Sequence, residues 1–173
     1  EDNEVIFFNP ETPSHCSPFS LDKLVAYQTF FPVVDQLEKT GIKCVQSISQ
    51  QKFNLAIISI PNSKKLARHL IYLAAKAVPE GLIIVDGDKS NGIESIICDL
   101  KKYTKIIEVV SKAHGRIAWF ETPAYLETYK DFPLQIEDGF ETQAGVFSSD
   151  GVDPASKLLI QLLPKDLMGV GAD

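Results

Sequence analysis

FNLAIISIPNSKKLARHLIYLAAKAVPEGLIIVDGD, residues Phe53 to Asp88, decides the fold. It opens on FNLAIISI, a nearly continuous apolar and β-branched run, the pattern of a strand buried on both faces. Ser63 then offers a hydroxyl that caps a helix in which Leu66, Leu70, Leu73, Ala74 and Ala77 recur on one side. Pro79-Glu80-Gly81 stops that helix, and LIIVDGD supplies a second apolar strand with a polar end. A strand, a helix and a strand of these lengths place the two strands parallel in one sheet.

The flanking sequence extends the same plan. VIFFN (Val5 to Asn9) and KLVAYQ read as two short strands before it. FPVVDQLEKTG reads as a short helix with Pro32 in its first turn and Gly41 past its end, and IKCVQSI as a further strand. GIESIICDLKKYT gives a helix with Ile93, Ile96, Ile97 and Leu100 inward. KIIEVVS and GRIAWFE then form an antiparallel pair around Ala113-His114-Gly115 at the end of the sheet. The expectation is an α/β fold with helices on both faces, closing near Glu121. Residues 122–144, with Pro123, Pro133 and several acids, read as a linker or hairpin, and 145–173 as the start of something else.

Composition excludes several classes. Apolar residues make up 45% and charged residues 23% of 173, an ordinary globular balance rather than a disordered one. No apolar run is long enough to span a bilayer, and no leader opens the chain, so a cytoplasmic protein without membrane contact is expected. Cys16, Cys44 and Cys98 are odd in number and widely spaced, which favours reduced thiols over a disulfide framework or a structural zinc site. The only methionine is Met168, so N-terminal residues are expected to precede Glu1. The net charge of −6 argues against a nucleic-acid surface, yet its distribution is uneven. Between Lys64 and Arg116 ten Lys/Arg face six Asp/Glu, a basic middle that either contacts phosphate or forms solvated helix faces.

Ligands in open α/β sheets bind at the carboxyl ends of the strands. The loop after the first strand, FFNPETPS, has prolines and no glycine, so it lacks the backbone cradle of a dinucleotide or S-adenosylmethionine site. The next strand end reads SIPNSKK, a turn that starts a helix. In DGDKSNG, Asp86 and Asp88 offer two carboxylates, too few alone for a hard cation. His15, His69 and His114 stand apart, with no nucleophile beside them. Lys112, His114 and Arg116 gather at the hairpin, where they can reach RNA or merely form a polar surface. No catalytic residue and no metal site is expected in the chain.

Two stretches carry a resemblance. FNLAIISIPNS stands where a class I methyltransferase has F-D-x-I-x-x-N-P-P-aromatic. AAKAVPEGLIIVDGD is similar to the L-x-P-G-G-x-L-x-x-V stretch that follows there, and KIIEVVSKAHGRIAWFE to the closing hairpin. GVFSSDGVDPASKLLIQLLP resembles the G-x-F-S-x-x-x-x-D-x-G-S-x-L-L-L segment of the ribosomal RNA small-subunit methyltransferase C family. Gly145, Phe147, Ser148, Asp153, Ser156, Leu158 and Leu159 match, while Ala155 replaces a glycine. The resemblance implies a Rossmann-like methyltransferase-type sheet lacking the glycine-rich cofactor loop over residues 1–121. It also implies a catalytic domain beginning at 145, which this chain enters but does not contain, with GVGAD leading into its cofactor loop at Asp173.

By the same resemblance the longer protein transfers a methyl group from S-adenosylmethionine to a guanine exocyclic amine in ribosomal RNA. The small ribosomal subunit and the C-terminal catalytic domain are the implied partners. Phe147, Ser148, Asp153 and Ser156 border the implied cofactor pocket, and no cofactor is expected on 1–173 alone. Residue by residue, the segment reads as a helix capped by Asp153, with Pro154 in its first position and Leu158, Leu159, Leu162 and Leu163 on one face. The alternative is a self-contained α/β domain that binds a small molecule near Asp86 or Asp88, or a protein partner, with no RNA role.

Overall fold

The computed structural model describes residues 5–48, 52–131, 134–136, 139–164, 166 and 168–169. The chain divides into two compact units, Glu1–Asp131 and Phe132–Asp173. In the first unit the elements run β1 (Val5–Phe8), α1 (Pro13–Cys16), β2 (Leu24–Tyr27), α2 (Phe31–Lys39), β3 (Lys43–Val45) and β4 (Leu55–Ser59). They continue with α3 (Lys64–Ala77), β5 (Leu82–Asp88), α4 (Ile93–Leu100), β6 (Ile106–Lys112) and β7 (Gly115–Glu121).

Seven strands form one sheet in the order β3-β2-β1-β4-β5-β7-β6. β4 pairs parallel with β1 on one side and β5 on the other, with Leu55 opposite Val5 and Leu82. The expected strand-helix-strand unit is therefore the centre of the sheet. β7 inserts antiparallel between β5 and β6, with Ala118 opposite Val85 and Val109. The structure thus has the expected α/β architecture with an antiparallel hairpin at one edge.

The two faces carry separate cores, because successive side chains of a strand point to opposite sides. Ile6, Phe8, Ala56, Ile58, Ile83, Val85, Ala118 and Phe120 meet α3 and α4 through Ala67, Ile71, Ile96 and Leu100. Phe7, Leu24, Ala26 and Ile57 meet Cys16 of α1 and Leu37 of α2 on the other face. Phe120 and Ile71 are fully buried, each worth roughly 2–3 kcal/mol of transfer free energy. On α3 the buried stripe is Ala67, Leu70, Ile71, Tyr72, Ala74 and Ala77, while Leu66 and Leu73 sit at its margin. Ser63 caps this helix as expected, accepting from the Leu66 amide at 3.3 Å.

Residues Thr122–Asp131, read above as the start of a linker, pack on the first unit. The Thr122 amide donates to Gly81 O at 3.1 Å, and Leu126 and Tyr129 are buried beside α3. The segment ends where the Asp131 amide donates to His69 Nδ1 at 3.0 Å, a bond that requires an unprotonated nitrogen there. Burial lowers the His69 pKa below 6.5, opposed by the charge of Asp131. Its contribution is complete above the unfolded value of about 6.5 and is lost as pH falls through the depressed folded value. The thermal midpoint is accordingly expected to drop about 2–4 °C more between pH 7.5 and 5.5 in the parent chain than in His69→Phe. Equal drops in the two proteins would show that His69 does not hold this segment.

The second unit contains β8 (Leu134–Gln135) paired antiparallel with β9 (Glu141–Thr142), then α5 (Pro154–Leu162). Asp153 caps α5 as expected: its Oδ2 accepts from the Ser156 amide at 2.9 Å and from Ser156 Oγ at 3.2 Å. Leu158, Leu159, Leu162 and Leu163 are exposed along it. Most of the strand expected at GVGAD, with Asp173, lies outside the described residues. Among the described residues no helix is long and apolar enough to cross a membrane.

Candidate functional site

The C-terminal edge of the parallel strands is where such sheets bind ligands. A cavity of about 290 Å³ opens there, lined by His15, Ser59, Asp86, Asp88 and Asn91 among others. The loop after β1 is tied down by the protein itself. Asn9 adopts the left-handed region at φ 56°, and its Nδ2 donates to Ser59 O at 3.1 Å. Gln28, buried at the end of β2, donates from Nε2 to Pro10 O at 3.0 Å. Its Oε1 accepts from the amides of Thr29 at 2.9 Å and Phe30 at 3.0 Å. A glycine loop would present free amides to a ligand at this corner; here Gln28 and Asn9 clamp a proline-containing turn that runs into α1.

Of the two acids at this edge, burial raises the Asp86 carboxyl, whereas Asp88 serves the backbone. Asp88 Oδ1 accepts from the Ser90 amide at 2.8 Å and from Ser90 Oγ at 2.7 Å, and these bonds hold its carboxyl below the usual range. Asn91 Nδ2 donates to Ile60 O at 3.2 Å, so the DGDKSNG turn is stitched to the end of β4. Among the described residues no group of three or more His, Cys, Asp or Glu gathers to hold a metal. Cys16 is buried, Cys44 half-buried and Cys98 exposed, and all three are free thiols.

The hairpin trio is divided. Lys112 and His114 are exposed at the β6–β7 turn, where Ala113 takes φ 51°. Arg116 is half-buried and its Nη2 lies 3.1 Å from Glu94 Oε1, so its charge is engaged within the fold.

The four residues Phe147, Ser148, Asp153 and Ser156 come together. They line one cavity of about 330 Å³ in the second unit, beside Phe140 and Thr142. Ser148 sits at φ 54°, and its hydroxyl donates to Gly151 O at 2.7 Å, which turns the chain sharply ahead of the α5 cap. Phe147 is 85% exposed, an aromatic face left bare at the cavity rim. The cavity combines an aromatic rim, hydroxyls and the two carboxylates of Glu141 and Asp153, the latter at a helix start.

Sequence reading did not find Gln28 or Asn9. The signal for Gln28 was slight, a lone polar residue at the end of an apolar strand, and its partners only become neighbours once β1 and β2 pair.

The family model described as methyltransferase small domain N-terminal matches residues 14–125. The ribosomal RNA small subunit methyltransferase C of Shewanella piezotolerans is 32% identical over 128 residues, covering 68% of this chain and 37% of that protein. The protein of the same description from Psychromonas ingrahamii is 31% identical over 156 residues, covering 83% of this chain and 44% of its own length. That 83% is more residues than the first unit holds, so the match extends into the second. The chain spans less than half the length of these curated relatives. In fold it is similar to a 16S rRNA methyltransferase of T. Thermophilus solved in complex with AdoMet and guanosine. The TM-score there is 0.67 at 20% identity, over 91% of this chain and 47% of that one.

Proposed function

Because this chain belongs to the methyltransferase small domain N-terminal family, we propose that it is the front part of an S-adenosylmethionine-dependent methyltransferase acting on small-subunit ribosomal RNA, and that its first unit is non-catalytic. The observation that carries the second half of this reading is the clamped loop after β1. Gln28 and Asn9 spend their hydrogen bonds on Pro10, Thr29, Phe30 and Ser59, where a working enzyme would leave backbone free for its cofactor. Ile60-Pro61-Asn62-Ser63 likewise departs from the Asn-Pro-Pro-aromatic order of the catalytic loop.

Chemistry belongs, on this reading, to a catalytic domain whose start is residues 145–173, with 1–121 and the packed segment Thr122–Asp131 as the methyltransferase-like domain and the remainder of 122–144 as the connection. Phe147, Ser148, Asp153 and Ser156 border the cofactor pocket of that domain. Asp153 uses Oδ2 for the helix cap, and Oδ1 is suited to accept from a ligand donor. The target is a guanine exocyclic amine, and the gain comes mainly from holding that amine in line with the methyl sulfonium. The base must be unpaired or turned out of its stack to be reached. At the hairpin, Lys112 and His114 are the members of the trio with Arg116 best exposed to touch RNA. A cytoplasmic location follows from the ribosomal substrate.

The test follows labelled methyl groups from S-adenosylmethionine into small-subunit ribosomal RNA, with the longer protein and with 1–173 alone. Transfer by the longer protein and none by 1–173 is expected. Transfer by 1–173 overturns the non-catalytic reading, and failure of the longer protein overturns the ribosomal one. In the longer protein, Phe147→Ala with Asp153→Ala is expected to weaken S-adenosylmethionine binding about tenfold, or roughly 1.4 kcal/mol. Unchanged affinity removes these residues from the pocket.

A further inference from the structure

β6 (Ile106–Lys112) is the last strand of its sheet, and among the described residues no strand pairs with its outer side. Its sequence, IIEVVSK, carries the β-branched run of a strand suited to the inside of a sheet, yet every residue after Ile106 is exposed. A free row of N–H and C=O groups is a template for another chain, so natural edges are usually blunted. Here the irregularity is confined to a register shift between Ile106 and Glu108, and from Glu108 to Lys112 the pairing with β7 is unbroken. We infer that this edge is an interface at which two copies of the chain pair β6 with β6, antiparallel about a two-fold axis at Val110. The pairing lies beyond the methyl-transfer reading and does not depend on it.

Charge selects the partner and the register. Glu108-Val109-Val110-Ser111-Lys112 is complementary to itself when run antiparallel. Centred on Val110, the pairing sets Glu108 of each copy opposite Lys112 of the other, Val109 opposite Ser111, and Val110 opposite itself. The two-fold operator repeats every contact, so two pairs of opposite charge form at once. Centring on Val109 or on Ser111 instead leaves Glu108 or Lys112 opposite a valine. Among the described residues neither Glu108 nor Lys112 makes an ion pair within the chain. Charges in an edge strand ordinarily deter pairing, but only where the incoming strand brings no opposite charge.

Packing points the same way. Glu108 and Val110 share a sheet face with Trp119 and Ile117, their opposite numbers on β7, and with Ile84 on β5. The buried cluster that α1 and α2 form on that face includes neither Val110 nor Ile117, which are 42% and 39% exposed. In the dimer Val110 meets Val110 of the second copy at the axis, with an Ile117 on either side, and this strip leaves water. Five paired residues bury less than the roughly 1,200 Å² of a standard interface, so the dimer is weak and concentration-dependent. It also engages Lys112, so of the hairpin trio His114 then stays free.

Sedimentation equilibrium of the 173-residue chain, from about 10 μM to about 1 mM, reads the association directly. The mass of the parent is expected to rise from 19.1 kDa toward twice that value. Glu108→Lys sets lysine against lysine at both ends of the pairing, and Lys112→Glu sets glutamate against glutamate. Each is expected to weaken the dimer at least about tenfold. Mixed in equal amounts, the two variants again place opposite charges across the axis, as does the double variant. Both are expected to associate within about threefold of the parent, which also shows that each single variant is folded. A parent that stays monomeric, single variants that dimerise like the parent, or a mixture that does not recover each overturns the pairing. The longer protein is run beside them: if it is monomeric where 1–173 dimerises, the rest of its chain covers β6 and the proposal falls.

Discussion

Replacing Asp99 with alanine is expected to destabilise the first unit by about 3 kcal/mol, read as a shift of the urea midpoint at unchanged slope. Asp99 is 7% exposed, on the inner side of α4, and is the common acceptor of three elements. Arg68 of α3 donates to its Oδ2 from Nε at 3.0 Å, and Tyr129 donates to the same oxygen at 3.0 Å. Lys102 Nζ reaches Oδ1 at 3.0 Å. Removing the carboxylate leaves the Tyr129 hydroxyl buried without its acceptor and frees the segment it anchors.

The pH dependence of that loss has a definite sign. Burial alone would raise the Asp99 carboxyl, but bonds from Lys102, Arg68 and Tyr129 and the charge of Arg68 outweigh it and bring it down to about 2. A depressed carboxyl contributes stability above its unfolded value near 3.9 and loses it as pH falls toward 2. The ionised form is worth roughly 2 kcal/mol, a figure at the low end because Arg68 and Lys102 are partly in water. The gap between parent and Asp99→Asn should therefore narrow between pH 5 and pH 2. A gap under about 0.5 kcal/mol at pH 7 would mean that the segment is held by Leu126 and Tyr129 packing alone.

Gly81→Ala is the second large effect, about 3 kcal/mol or more. A Cβ on Gly81 would lie 2.1 Å from Asn54 O and 2.5 Å from Val78 Cγ1. Asn54 O is itself the acceptor of the Leu82 amide at 3.2 Å, so moving it disturbs the first pair of the β4–β5 register. The contrast is Gly92, where φ is +78° and a Cβ meets nothing within 4 Å. Gly92→Ala should cost only the left-handed penalty of about 1–2 kcal/mol. If the two substitutions cost the same, the close approach at Gly81 is relieved by a small shift and is not a constraint. Thermal unfolding of both variants decides it.

These two sites mark what sequence can and cannot reveal. Gly81 is legible as a helix stop in Pro79-Glu80-Gly81, but the crowding that forbids a side chain comes from residue 54, across a strand pair. The Asp153-Pro154 cap was legible because its partner Ser156 is three residues away. Phe147, Ser148, Asp153 and Ser156 were singled out through the family resemblance, and they line one cavity because they lie within ten residues and one tight turn gathers them.

By itself the sequence determined the α/β class, the central β4-α3-β5 unit, the antiparallel hairpin and the missing glycine loop. Each of these rests on periods or on contacts within a few residues, which covalent geometry and local burial dictate. Only the tertiary structure decided that Gln28 clamps the loop after β1 and that Asp99 joins α3, α4 and Tyr129. Those side chains meet across 18 to 31 residues of chain, and which polar group meets which follows from strand register and from the burial of Leu126 and Tyr129, not from any pattern along the chain.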